Sequence, residues 1–400
     1  MDLVHNIPWP TLAHMHNPPR FYYRGRYRLV MTDSLAPQEQ SFILPMWRQV
    51  LWTSLFAGMV AVATVGNLVV IWIVLANKRM RSVTNYFLVN LSVADAMVST
   101  LNVTFNFTYM LYADWPFGHF YCKFCQFIAV LSISASVFTL MAISIDRYVA
   151  IMSPLRPRLG KRATLAIAAA IWVGSLLLSS PNFFFYTTQV VPQQDGTSRR
   201  VCYSEWPDGV TTLSRQEYAY NVIFMVLTYF LPITSMTYTY TKVGLELWGS
   251  QSIGECTQRQ LDNVKSKRRV VKMMIVVVVI FAVCWLPINV YFLVTSYYPD
   301  VVNHPYIQEI YLGIYWLAMS NSMYNPIIYC WMNSKFRRGF KQFFWCCGVL
   351  GGGRLSRHRA FGPDRLDRSL RSISPSRKNG TSKHCINRHT IYVIVSLRRL

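Results

Sequence analysis

The sequence predicts an all-α membrane protein, a seven-transmembrane helix bundle with a short amphipathic helix after the seventh span. Three observations predict it. Seven apolar blocks are each long enough to cross the hydrocarbon core of a bilayer, which takes about 20 residues of helix. Only 14% of the 400 residues are charged and 52% are hydrophobic, whereas an ordinary soluble domain carries about 25% charged residues. Lys and Arg gather in alternate connections, as they do when one side of a membrane protein faces the cytosol. Helices are required because every backbone polar group must be satisfied inside lipid. This composition excludes a soluble enzyme and a disordered chain.

The elements follow in order. Residues 1–49 form an N-terminal segment expected to be extracellular. It holds no apolar stretch of signal-peptide length, so the first span is expected to serve as the insertion signal. The seven spans run Val50–Leu75, Tyr86–Leu111, Tyr121–Ile151, Thr164–Phe185, Tyr218–Lys242, Val270–Ser296 and Tyr306–Trp331, making residues 50–331 one bundle. The third is the longest and should tilt or protrude. Prolines 181, 232, 287 and 326 interrupt spans four to seven; each removes a backbone hydrogen bond and permits a kink. Residues 332–347 form an amphipathic juxtamembrane helix, and 348–400 a basic cytoplasmic tail expected to be disordered.

Orientation comes from the connections. Lys78, Arg79 and Arg81 follow span one. Arg156, Arg158, Lys161 and Arg162 follow span three, and Lys265, Lys267, Arg268 and Arg269 precede span six. The connections on the other side hold few cations or offset them with acids, as Asp195, Glu205, Asp208 and Glu217 do between spans four and five. The N-terminus is therefore expected outside and the C-terminus inside. Arg20, Arg24, Arg26, Arg28 and Arg48 argue the other way and are outvoted by the six connections. The formal charge of +23 is then mostly a positive inner face plus a basic tail, not a nucleic-acid site. That tail suits an anionic inner leaflet, and Ser369, Ser372, Ser374 and Ser376 among its arginines look like kinase sites.

Of nine cysteines, Cys122 and Cys202 are the two clearly on the oxidising face, so a bridge between them is the natural pairing, with Cys125 as the alternative partner. Cys346 and Cys347 follow an amphipathic stretch, a context that suits palmitoylation. The sequons at Asn90, Asn102 and Asn106 fall within span two and are expected to stay unglycosylated. Asp95 sits mid-span, where a charge costs about 2.5–3.5 kcal/mol and so needs buried partners. Candidates are Asn67, Ser136, Asn321, Ser322 and Asn325.

A set of short motifs falls in order on these spans: Gly66-Asn67, Leu91–Asp95, Asp146-Arg147-Tyr148, Trp172, Pro232, Cys284–Pro287 and Asn325-Pro326-Ile327-Ile328-Tyr329. Together they resemble the rhodopsin-like G-protein-coupled receptors. The resemblance implies a ligand site among the outer helix halves and a heterotrimeric G-protein cleft inside. There Asp146, Arg147 and Tyr148 would face the G protein, with Trp285 and Pro287 sensing ligand. Asn325, Pro326 and Tyr329 would support the active form. A sodium ion on Asp95, Ser136, Asn321 and Asn325 would mark the resting form. It is the one bound ion expected, without other metal or cofactor. Arrestin and receptor kinases are expected partners, and the site is the plasma membrane.

A finer match lies in Lys265–Pro287, Tyr229–Leu247, Trp316–Tyr329, Asn106–Tyr109, Phe120–Phe124, Pro157-Arg158-Leu159 and Cys202 with Glu205-Trp206-Pro207. These resemble the tachykinin (neurokinin) receptors over about residues 50–347. The family's peptide site, carried over, gives Asn102, Asn106, Tyr109, Gln126, Asn182, Asn221, Asn289, Phe292 and Tyr311. Asn supplies both donor and acceptor, which an amidated peptide end requires. Cys125, Gln126, Asn221 and Asn289 depart from the vertebrate pattern and fit an invertebrate branch for tachykinin-related or natalisin peptides, which end in Arg-amide. Glu309 is the acid expected to attract a cationic ligand residue.

A transporter is the main alternative class. Seven spans without a visible inverted repeat, and a single deep ionisable residue, argue against it. The chain holds no paired aspartates mid-span, no HExxH and no GxSxG, which argues against an enzyme.

Overall fold

The computed structural model describes residues 44–153, 157, 159–192, 198–210, 214–249, 258–298, 301 and 306–346. The amino-terminal 43 residues, Cys347 and the basic tail lie outside the described residues, as do the kinase-site serines and Arg156 and Arg158 of the connection before α4. Eight long helices follow one another: α1 (Met46–Ala76), α2 (Val83–Tyr112), α3 (Gly118–Met152), α4 (Lys161–Phe185), α5 (Arg215–Trp248), α6 (Gln258–Tyr297), α7 (Ile307–Met332) and α8 (Ser334–Cys346). Each of the seven expected spans is helical, apart from Tyr306 at the start of the seventh, which caps its helix.

Between α4 and α5, where the sequence predicts a plain connection, the chain forms strands. β1 (Tyr186–Pro192) and β2 (Ser198–Trp206) pair antiparallel, and the short β3 (Gly209–Val210) adds to β2. This hairpin covers one end of the bundle, the hairpin end; α8 lies at the other, the α8 end.

Helices α1 to α6 are long and apolar enough to cross a membrane. α7 is 26 residues long but spends Ser320, Asn321, Ser322 and Asn325 on its buried face, which lowers its hydropathy. α3 is the axis: 72% of its most apolar stretch is buried, against 17% for α4. Lipid tails are as apolar as leucine, so packing and interhelical hydrogen bonds hold such a bundle rather than the hydrophobic effect. Asn90 donates to Thr139 (2.7 Å) and accepts from the Trp172 indole (2.8 Å), tying α2 to α3 and α4. Asn67 donates to the Ser322 carbonyl (2.9 Å) across α1 and α7. A Cβ on Gly66 would lie 2.7 Å from Pro326 Cγ, so only glycine lets α1 meet the α7 kink this closely.

Two π-helical turns re-aim side chains. One, Val226–Phe230, precedes Pro232, whose missing N–H disturbs the ladder just there. The other, Val98–Val103 in α2, contains no proline. Ser99 and Thr100 hydroxyls both donate to the Ala96 carbonyl, and Thr104 donates to the Ser99 carbonyl. Such back-bonding bends helices. The turn brings Asn102 and Asn106 into the bundle, both buried.

Candidate functional site

At the hairpin end the site is built from amides and phenols. The Asn106 amide donates to Asn102 Oδ1 (2.5 Å), and Gln126 donates to Asn106 Oδ1 (2.9 Å). Tyr315 donates to Asn102 Oδ1 (3.3 Å). Three helices, α2, α3 and α7, thus share one polar network. Asn182 on α4 donates to the Tyr220 hydroxyl on α5 (2.5 Å). Tyr311 lies over Tyr291 and Tyr315 with ring centroids 5.2 and 6.1 Å apart. Asn289 donates to the Trp285 carbonyl one turn below it (2.7 Å). The Trp285 indole N–H is buried without a hydrogen bond. Phe292 stacks on Tyr218, 6.3 Å away. Asn221 is half-buried on the first turns of α5.

The hairpin closes over this set by covalent and backbone links. Cys122 and Cys202 form a disulfide; the alternative partner, Cys125, is a free buried thiol near Asn106 (3.6 Å). Tyr109 accepts from the Cys202 N–H (3.0 Å) and donates to the Cys202 carbonyl (3.2 Å). Its hydroxyl therefore anchors the hairpin and is not turned to a ligand. Asp114 accepts from the Arg200 N–H (2.7 Å), and Trp115 N–H donates to the Arg200 carbonyl (2.9 Å).

One expected site residue sits elsewhere. Glu309 and Tyr311 are two residues apart, which on a helix is about 200° of rotation. Tyr311 faces the bundle. Glu309 falls on the face of α7 that meets α1, with Gly313 beside Trp52 and the Trp316 indole donating to the Leu55 carbonyl (3.2 Å). There it forms an ion pair with Arg48. Conversely, Tyr186, Tyr220, Tyr291 and Tyr315 belong to the site and were not singled out from the sequence. Tyr186 opens β1 and pairs with Ser204 on β2. Burial first, then Glu217 and the phenols of Tyr220, Tyr311 and Tyr109, push its hydroxyl well above the usual tyrosine range, so it stays protonated and able to donate.

Midway through the bundle, Asp95 is fully buried. Its two oxygens accept from Ser136 (2.8 Å) and Asn325 (2.7 Å). Asn321 is buried on α7 and makes no hydrogen bond to this carboxylate. Asn67 Oδ1 and Ser92 Oγ are buried oxygens without a hydrogen-bond partner. A carboxylate with amide and hydroxyl oxygens is a hard donor set, and it fits a small cation.

At the α8 end, Arg147 donates to Asp146 (2.7 and 3.2 Å), which also accepts from Thr84 (3.0 Å). Tyr148 is half-buried beside them. A cavity of about 20 Å³, lined by Leu140, Met236, Tyr240, Met274 and Tyr329 among others, lies where α3, α5, α6 and α7 meet. Pro287 and Pro326 lie inside α6 and α7. At the α8 end α6 is held to α5 by Arg268, which donates twice to the Leu247 carbonyl (2.9 and 2.6 Å). α8 lays Phe336 and Phe340 inward and leaves Lys335, Arg337, Arg338 and Lys341 exposed. Cys346 ends this helix, its side chain outside the described residues.

Comparison with known proteins extends this geometry. The family model for the 7 transmembrane receptor (rhodopsin family) matches residues 66–329. The chain is 67% identical over 324 residues to the tachykinin-like peptides receptor 99D of Drosophila melanogaster, covering 80% of this chain and 62% of that one. It is 45% identical over 362 residues to the tachykinin-like peptides receptor 86C of the same species, covering 90% and 68%. It is 45% identical over 324 residues to the substance-P receptor of Homo sapiens, covering 81% and 77%. The chain thus spans under two thirds of the length of the first of these relatives.

Proposed function

The chain belongs to the rhodopsin family of seven-transmembrane receptors, and on that premise we propose that it is a receptor for an amidated, tachykinin-like neuropeptide. It is a multi-pass membrane protein and performs no chemistry on its ligand. The hairpin end is the extracellular face, the α8 end is cytosolic, and a heterotrimeric G protein, chiefly of the calcium-mobilising kind, reads the state of the α8 end. Arrestin and receptor kinases act there after it.

The observation that carries this is the bonded set Asn102–Asn106–Gln126–Tyr315 beneath a disulfide-anchored hairpin. Amide side chains donate and accept at once, which is what a carboxamide terminus needs and a free carboxylate does not. Aromatic rings of Tyr291, Tyr311 and Phe292 complete walls suited to a phenylalanine side chain. Ligand binding shifts a two-state equilibrium, and the G protein tightens ligand binding in return. A sodium ion held by Asp95 with Ser136 and Asn325 would stabilise the closed state, since both residues bridge α2 to the helices that must part. Palmitoylation of Cys346 and Cys347, with the exposed cations of α8, would pin that helix to the inner leaflet.

The test is calcium release in cells displaying the chain at their surface. A nanomolar response to Phe-x-Gly-x-Arg-amide or Phe-x-Pro-x-Arg-amide, and a weaker one to Phe-x-Gly-Leu-Met-amide, is expected. Silence despite surface display overturns either the ligand class or the coupling, and a cyclic-AMP readout separates the two.

A further inference from the structure

Glu309 cannot serve as the acid that reads a cationic ligand group, because it lies in the α1–α7 seam with Arg48 against it. Another carboxylate is better placed. Glu217 is on the first turn of α5 at the hairpin end and is only 5% exposed. The Ser204 hydroxyl of β2 donates to its Oε1 (2.9 Å), and its own N–H donates to the capping Ser214 hydroxyl (3.0 Å). A helix N-terminus favours a negative charge at this position, in a region largely shut off from water.

Its surroundings are aromatic. Ser204 stands opposite Tyr186 in the β1–β2 register, and residues directly opposite in a ladder project from the same face. Ser204 touches Glu217, so Tyr186 projects to that side as well. Tyr220 follows Glu217 by three residues and shares its helix face. The Tyr220 ring centroid lies 5.5 Å from that of Trp206 at the end of β2. Asn221, four residues after Glu217, lies on the same face. A carboxylate beside phenol and indole rings is the arrangement that recognises a desolvated guanidinium, by charge-assisted hydrogen bonds and by cation–π contact together.

We propose that Glu217, with Ser204, Tyr186, Tyr220 and Trp206, forms a subsite for the guanidinium of an arginine in the peptide ligand. The subsite rests on the peptide-receptor reading above. It assigns the two recognised groups of a C-terminal arginine amide to different elements: the carboxamide to the α2–α3 amides, the guanidinium to α5 and the hairpin. Arginine fits better than lysine because its planar fork can bond the carboxylate while stacking on a ring.

The experiment compares Phe-x-Gly-x-Arg-amide with the same peptide carrying citrulline, a neutral isostere, in place of arginine. Both are applied to surface-quantified cells expressing the full chain. The wild-type chain should prefer the arginine peptide by about 30-fold, the scale of a charge-assisted hydrogen bond. Glu217→Gln should lose that preference while its response to the citrulline peptide stays within about threefold. Glu217→Asp, which keeps the charge, should retain most of the preference, and it decides the question if the Gln variant fails to reach the surface. Equal losses for both peptides in Glu217→Gln would assign the residue to the scaffold and overturn the proposal. So would collapse of the preference in Glu309→Gln. If the wild-type chain answers neither peptide at any dose, the proposed ligand class or coupling fails, a result distinct from any of these.

Discussion

At the hairpin end, helices meet through side-chain amides and hydroxyls that bond one another, under a hairpin fixed by a disulfide and by Tyr109. At the α8 end α3, α5, α6 and α7 line a small apolar cavity with methionine, leucine and tyrosine, and the hydrogen bonds between helices are pairwise: Thr84 to Asp146, Ser144 with Thr239, and Arg268 to the Leu247 carbonyl. The Asp146–Arg147 ion pair there joins neighbours in sequence on one helix. Hydrogen bonds are directional and fix one arrangement, whereas apolar contacts are non-directional and allow sliding. The hairpin end is therefore built to hold a shape and the α8 end to change one. Asp95 lies between them and touches α3 and α7 at once. Pro287 in α6 and Pro326 in α7 supply hinges at the depth where the two kinds of construction meet.

This contrast can be broken in four places. The largest effect is expected from the link that makes the hairpin end rigid. The Cys122–Cys202 bridge closes a sequence separation of 80 residues, and a loop of that length is worth about 4–5 kcal/mol. Cys202→Ala should cost folding stability of that order, read as loss of surface receptor and of peptide-binding sites in saturation binding. Next, Arg147→Ala should lower peptide-stimulated nucleotide exchange at least ~100-fold, or about 2.7 kcal/mol. Its peptide affinity in the absence of G protein should stay within threefold of wild type, about 0.7 kcal/mol. Equal damage to both readouts would erase the distinction between the two ends.

Third, Asn106→Ala removes the centre of the amide network and leaves the Asn102 and Gln126 amides without their shared partner. Potency of the amidated peptide should fall about 30-fold, since each orphaned buried amide costs about 1–3 kcal/mol. The preference for the amide over the free acid should shrink with it; an undiminished preference would place the carboxamide elsewhere. The smallest effect concerns Asp95. Replacing choline by sodium in the buffer should weaken agonist binding severalfold, a coupling of about 1 kcal/mol. Asp95→Asn should abolish that sensitivity while still accepting hydrogen bonds from Ser136. Sodium sensitivity that survives in Asp95→Asn would remove the ion from this site.

The two regions also differed in how much the sequence disclosed. Spans were legible because a bilayer demands about 20 apolar residues per crossing, a signal that survives any detail of packing. The Asp95 partners Ser136 and Asn325 were legible because a charge in mid-span has few neighbours able to satisfy it. The hairpin was not anticipated, although Thr187–Val191 and Val201–Ser204 carry the residues that favour strands. The α2 π-turn left no proline to mark it, and it decides which way Asn102 and Asn106 face. Glu309 was assigned to the ligand because it stands near Tyr311 in the chain; two residues along a helix is nearly the opposite face. Tyr186, Tyr220 and Tyr315 escaped for the same reason, since burial of a tyrosine depends on rotation about the helix and on hairpin register, neither written in local composition.

The most direct test of the link between the two ends is a distance. Spin labels carried by noncanonical residues at Arg162 on α4 and Lys267 on α6, both exposed, report the width of the α8 end. Saturating amidated peptide should lengthen the measured distance, and the Asn106→Ala chain should need more peptide for the same change. An unchanged distance distribution with peptide bound would contradict the account, because the hairpin end would then be occupied without the α8 end moving.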